Sequence, residues 1–188
     1  KKMDTKVMKL VNEGENNNDT NFCTVISLAV AFGKTYAESN DYLRANAGRR
    51  KRKGLSRDKF EYAIKKLADT SGYGYDVYDS NHVRDGSIRV NCHRPRSAVS
   101  VQEKFGIRGK MTVNNCLRYL SPKKNYIIGV RGHAVGVAGG KVLDWTEGRR
   151  HQVQQIIELT PNESYIEPIV EPIIKKASMS LEDMISSL

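Results

Sequence analysis

Long apolar runs are missing from this sequence. No stretch approaches the roughly 18 apolar residues that a membrane-crossing helix needs. The start, Lys1-Lys2-Met3, leads into no apolar segment of the secretory-signal kind. A soluble protein with no membrane partner is therefore expected. Cysteine is scarce too: only Cys23, Cys92 and Cys116 are present. An odd, sparse set excludes a disulfide framework and points to a reducing compartment. Zinc-ligand spacing is lacking, because Cys92 and His93 are adjacent and no C-x2-C or H-x3-H occurs. Neither a G-x-x-x-x-G-K-[ST] phosphate loop nor a G-x-S-x-G elbow is found. No metal and no cofactor is expected.

What is there begins with positive charge. Lysine and arginine number 31 against 21 acidic residues, a formal charge of +10. Such an excess favours an anionic neighbour, whether nucleic acid, an anionic cell-wall polymer or an acidic protein. It is equally the mark of a basic, soluble chain with no such partner. At 188 residues, 39 % of them hydrophobic, the chain is long enough for one domain with a real core. The expected division is a domain over 1–160 and a Pro-containing arm with a short terminal helix over 161–188.

Residues 12–22, NEGENNNDTNF, are polar and turn-rich and read as a loop. CTVISLAVAF follows, apolar on all sides up to Gly33, which suggests a buried helix capped by Asn21 or Thr20. Its β-branched Thr24, Val25 and Ile26 leave a strand open. Thr35 and Glu38 form a capping box for a second helix ending near Ala47–Gly48. Ser56 caps a third, where Phe60, Ala63, Ile64 and Leu67 share one face. Thr112 starts a short fourth, VNNCLRYL, stopped at Ser121-Pro122. Strand patterns occupy 73–79, 87–90, 126–130, 133–137, 141–145 and 153–159, the last four resembling an antiparallel meander. Helices early and strands late give an α+β fold.

Three residues stand out as candidates for chemistry. Cys23 sits where a polar loop meets the apolar helix, and a helix N-terminus favours thiolate over thiol. A small buried core residue is the other reading of that position. His133 opens HAVGV, and Gly139-Gly140 links it to KVLDW as a two-residue hairpin. That turn pairs 138 with 141 and 137 with 142, so Asp144 becomes the diagonal neighbour of His133. Diagonal pairs lie about 7–8 Å apart at the backbone, within reach of an imidazole and a carboxylate. An aspartate so placed accepts from one ring nitrogen and leaves the other free for a thiol proton.

A cysteine heading an early helix, followed by His and Asp from a late sheet, resembles the papain-like cysteine peptidase fold. There the nucleophile helix packs on the sheet, and an aromatic often follows the third group, as Trp145 does here. More narrowly, CTVISLAVAFGKTY, AGRRKRKG and RGHAVGVAGGKVLDWTEGRR resemble a group of small phage-encoded papain-like proteins. The resemblance covers roughly residues 15–160. It implies a thiol hydrolase, a peptidase or amidase with Cys23, His133 and Asp144 as catalytic triad. Its substrate would be a peptide, a protein or a cell-wall peptide. It implies a site of action in the host cytoplasm or the virion. An amine acceptor, as in transglutaminase-like proteins, is a further option. The alternative is an inactive fold of this type serving as a virion component or host-interaction protein, with 161–188 docking on a partner.

Two departures accompany the resemblance. The C-G-S-C-W signature is absent, since Thr24 and Val25 follow Cys23. The glutamine that usually supplies the oxyanion donor is also absent, and Asn17 or Asn21 is its candidate replacement. Basic clusters complete the reading. Arg49, Arg50, Lys51, Arg52 and Lys53 form one run, and Arg149-Arg150-His151 another. The first would grip phosphates, select acidic substrates near the site, or form a plain solvated loop. Cys116 reads as core.

Overall fold

The computed structural model describes residues 3–81 and 99–162. The strand expected at 87–90, Cys92, His93 and the arm beyond 162 lie outside the described residues.

Asp4 opens helix α1 (Thr5–Asn16), its carboxylate accepting from the Lys6 N–H. Val7, Leu10 and Gly14 bury one face of this helix. The loop expected from residue 12 is therefore confined to 17–22. The spacing of Val7, Leu10 and Val11, not the polarity of NEGEN, decides where the helix ends.

Helix α2 (Cys23–Phe32) follows, with residues 24–31 all buried. A segment apolar on every side is satisfied in the middle of a core as a helix, which removes the strand alternative. Phe22, not Asn21 or Thr20, is its N-cap, and it supplies no side-chain bond. Asn21 is occupied elsewhere, its amide donating to the Arg52 carbonyl at 2.8 Å. Helix α3 (Tyr36–Ala47) carries the expected Thr35–Glu38 capping box. Helix α4 (Arg57–Thr70) buries Phe60, Ala63, Ile64 and Leu67, as their spacing requires. Among the described residues two short helices come later: α5 (Val101–Phe105), closed by a Ser100–Glu103 capping box, and α6 (Val113–Cys116). The expected longer helix from Thr112 tightens into a 3-10 turn at Leu117–Tyr119.

Five strands form one antiparallel sheet: β1 (Tyr73–Asp79), β2 (Asn125–Val130), β3 (His133–Ala138), β4 (Lys141–Leu143) and β5 (Gln155–Pro161). Their order is β1-β5-β2-β3-β4. Strands β2, β3 and β4 make the expected meander. Strand β5 instead crosses back to the far side of β2. Strand β4 stops after three residues because Asp144 accepts the Thr146 N–H at 2.7 Å, an Asx-type turn that draws the chain out of the ladder.

The sheet is covered on both faces. Helices α2, α3 and α4 pack with Ile127, Ala134 and Ile157 on one side. Val101, Met111, Val113 and Cys116 pack with Ile128, Val135, Val137 and Ile156 on the other. Consecutive strand residues point to opposite faces, which explains why Ala134 and Val135 belong to different clusters. The architecture is α+β, with helices on a five-stranded antiparallel sheet.

One contact sets the position of the site. A Cβ placed on Gly136 would lie 2.7 Å from Val30 Cβ and 3.2 Å from Ser27 Cα. Helix α2 therefore rests directly on the backbone of β3. From Cys23 to Val30 the helix rises about 10 Å at ~1.5 Å per residue. From His133 to Gly136 the strand advances about 10 Å at ~3.3 Å per residue. Running side by side from that contact, the helix head and the strand start arrive together.

Candidate active site

The hairpin register is as the Gly139-Gly140 turn dictates. Ala138 pairs with Lys141, Val137 with Val142 and Gly136 with Leu143. Both turn glycines have left-handed φ, 57° and 72°, which a type I′ turn demands at its two central positions. The ladder ends before residue 144, yet the diagonal contact forms. His133 Nε2 lies 3.0 Å from Asp144 Oδ1 and 3.1 Å from Oδ2. Asp144 is 3 % exposed, so its carboxylate depends on these partners.

Cys23 and His133 line the same cleft of about 440 Å³. Burial of the imidazole opposes its charge. Hydrogen bonding and charge from Asp144 and from Cys23 outweigh that opposition and raise His133 to about 9. With Nε2 committed to Asp144, Nδ1 is the nitrogen left for the thiol. The ring thus interacts with both the carboxylate and the thiol, and the raised value favours its charged form at neutral pH. Cys23 is half-buried at the first turn of α2, whose leading N–H groups have no side-chain cap. Cys116 is the contrast: it is fully buried, and burial pushes its thiol up to about 12.

Aromatic rings join the halves of this arrangement. Trp145 meets the His133 ring edge-on at 4.8 Å and the Phe22 ring at 5.3 Å. Phe22 in turn meets Tyr36 at 6.4 Å and is backed by Gly14, where a Cβ would fall 2.9 Å from the ring. The residue before Cys23 and the residue after Asp144 are thus in contact. The aspartate has two further neighbours that were not among the expected site residues. Thr146 donates to Asp144 Oδ2 through both its N–H and its hydroxyl. His151 Nε2 lies 3.0 Å from that hydroxyl. D-W-T, an Asp two residues before a Thr, is the signal from which the Thr146 contact was legible.

Leu55, Phe60, Ile127, Ala134 and Ile157 give the cleft an apolar lining. Its polar wall is cross-linked internally. Arg57 Nη2 donates to Gln154 at 2.9 Å, and Gln155 donates to Glu61 at 3.1 Å and Asp79 at 3.2 Å.

The two oxyanion candidates part company. Asn17 is an exposed C-cap of α1, its amide donating to the Glu13 carbonyl at 2.7 Å, and it is not among the cleft residues. Asn21 does line the cleft. One of its two amide hydrogens goes to Arg52 O, leaving the second.

The first basic run is also divided. Arg49 is 3 % exposed and paired with Asp19 at 2.6 Å, so its expected role as a partner-facing cation is corrected. Asp19 also accepts from the Tyr36 hydroxyl at 3.0 Å and the Arg52 N–H at 2.9 Å. Burial would raise the Asp19 carboxyl, but these donors and the Arg49 charge hold it below its usual range. Arg52 turns its side chain back to Asn18. Arg50, Lys51 and Lys53 are exposed, as are Arg149 and Arg150 in the second cluster and Arg131 at the cleft. The buried pair ties the loop before Cys23 to the basic loop and fixes the approach to α2. No group of His, Cys, Asp or Glu among the described residues has the arrangement of a metal site. No described helix is long and apolar enough to cross a membrane.

Compared with protein-family models, curated proteins and solved structures, the chain matches none.

Proposed function

We propose that this chain is a papain-like cysteine hydrolase, a peptidase or amidase, with Cys23 as nucleophile, His133 as acid and base, and Asp144 as the group that orients the ring. One observation carries this reading. A half-buried thiol at a helix head shares a cleft with a histidine whose far nitrogen is held at 3.0 Å by a buried aspartate. Such an assembly is what nucleophilic attack by sulfur requires.

In the proposed cycle the Cys23 thiolate attacks the carbonyl carbon, and the oxygen takes the negative charge. The Cys23 N–H, in the uncapped first turn of α2, and the second Asn21 hydrogen are the proposed donors to that oxygen. His133 then gives its Nδ1 proton to the leaving amine, and the C–N bond breaks to leave a thioester. Water, losing a proton to His133, hydrolyses the thioester and restores the thiol. The apolar lining suits an apolar side chain beside the scissile bond. The RGH, DW and GRR blocks support kinship with small phage-encoded proteins acting in the host cytoplasm or in the virion.

Alkylation by iodoacetamide, read by intact mass and peptide mapping, tests the reading. Preferential labelling of Cys23, lost in His133→Ala, is expected. Equal labelling of the cysteines would overturn it. A second reading is favoured by the exposed Arg50, Lys51, Lys53, Arg149 and Arg150. In it the same fold binds an anionic or protein partner without turnover, and Cys23→Ala retains full biological function.

A further inference from the structure

The chain of donors around Asp144 has a definite direction. Thr146 has one hydroxyl hydrogen, and it points to Asp144 Oδ2. The Thr146 oxygen is therefore an acceptor toward His151, and His151 Nε2 carries the proton. Asp144 accepts from Thr146 twice and from His133 Nε2. Every proton in the chain points at the carboxylate, so the chain holds a charge and does not conduct a proton. His151 meanwhile lies against the His133 ring, with centroids 5.8 Å apart and planes 28° from parallel. One side chain thus reaches the triad by two routes, through Thr146 to the aspartate and by stacking on the histidine.

We infer that His151 is a positioning residue for the His133–Asp144 pair: its neutral ring donates through Thr146 to keep Asp144 ionised and aimed, and its stacked face fixes the plane of His133. The inference rests on the proposed role of His133 and Asp144 and adds a residue to it. His151 is half-buried in the segment between β4 and β5. Its carbonyl accepts the Val113 N–H at 3.0 Å, which anchors it to the head of α6. The charged groups facing it are His133 and Asp144 from the hairpin and Arg149 from its own segment. Burial first, then the His133 and Arg149 charges, lower its affinity for a second proton, against the pull of Asp144. The neutral donor form is therefore favoured while His133 is charged.

Three full-length variants separate the two routes. His151→Phe keeps a ring for stacking and removes the donor. His151→Gln keeps a donor and removes the ring. Thr146→Val breaks the link and leaves His151 in place. The readout is the His133 titration by NMR of the imidazole C–H signals, together with the pH profile of Cys23 alkylation. In His151→Phe and Thr146→Val the His133 midpoint is expected to fall by about one pH unit, and the pH profile of Cys23 alkylation to change with it. In His151→Gln the midpoint is expected to stay nearer the native value. An unchanged His133 midpoint in both His151→Phe and Thr146→Val, in folded protein, overturns the inference. Failure of the hydrolase reading looks different: Cys23 in the native protein labels no faster than Cys116, while the His133 midpoint still reports on His151.

Discussion

At the residue scale, the charge on His133 is the quantity to follow. The ring is raised to about 9 because Asp144 and Cys23 outweigh its burial. In the proposed hydrolase the imidazolium protonates the leaving group, and it is lost as pH rises through that value. The rate of amide cleavage is expected to fall on an alkaline limb near 9, whereas Cys23 alkylation, which needs only the thiolate, should show no such fall. Asp144→Asn removes a partner that favours the charged ring, so the limb should move to lower pH. Cleavage should drop by about 10²–10⁴-fold, the usual loss when acid–base catalysis is impaired. Cleavage pH profiles of the native protein and of Asp144→Asn measure the shift directly. Cys116, held as a thiol up to about 12, should stay unlabelled throughout the range in which the fold persists.

At the scale of elements, two contacts decide whether the thiol and the ring meet. Gly136→Ala would drive a methyl into Val30 and the α2 backbone. Overpacking of this sort costs about 1–3 kcal/mol, and the helix head should shift away from His133. Urea unfolding would show the lost stability, and slower Cys23 alkylation the shift. The buried Asp19–Arg49 pair allows a sharper comparison within one basic run. Arg49→Ser strands a buried carboxylate and should cost about 3–5 kcal/mol. Lys51→Ser, a few ångströms of chain away on an exposed loop, should change stability by less than about 0.5 kcal/mol.

That comparison also shows what the sequence could reveal. Capping boxes, apolar spacing and the Gly-Gly turn are local signals. They located α3, α4 and the β3–β4 register, and through the register the His133–Asp144 contact. Burial of Arg49 is not local, because its partner Asp19 lies 30 residues earlier and belongs to a different turn. Helix α1 was legible in Val7, Leu10 and Val11 but masked by the polar run that closes it. The return of β5 to β2 was invisible, since an apolar strand suits either edge equally well. His151 looked like one more basic residue beside Arg149 and Arg150, and only the fold stacks it on His133.

At the scale of the whole molecule, the site belongs to no single segment. Cys23 comes from the first helical layer, and His133 and Asp144 come from the sheet it rests on. Unfolding should therefore abolish the difference between the cysteines. In strong denaturant Cys23 and Cys116 are expected to alkylate at rates within a few-fold of each other, and the native ratio should return on dilution. Competitive labelling followed by peptide mapping checks this. The exposed cations matter at this scale as well, since Arg131 at the cleft and Arg149–Arg150 beyond it lie near one end of the sheet.

The side-by-side packing of α2 on β3 has a consequence in time. The chain is made from its N-terminus at about 5–20 residues per second. Cys23 is thus exposed to its surroundings for several seconds before the hairpin carrying His133 and Asp144 exists. During that interval it is an ordinary thiol, without the neighbours that would arm it. Gly136 then admits the helix, and the thiol meets the imidazole only as the sheet forms. If the proposed chemistry holds, the thiol is unarmed at the ribosome until the hairpin has been made.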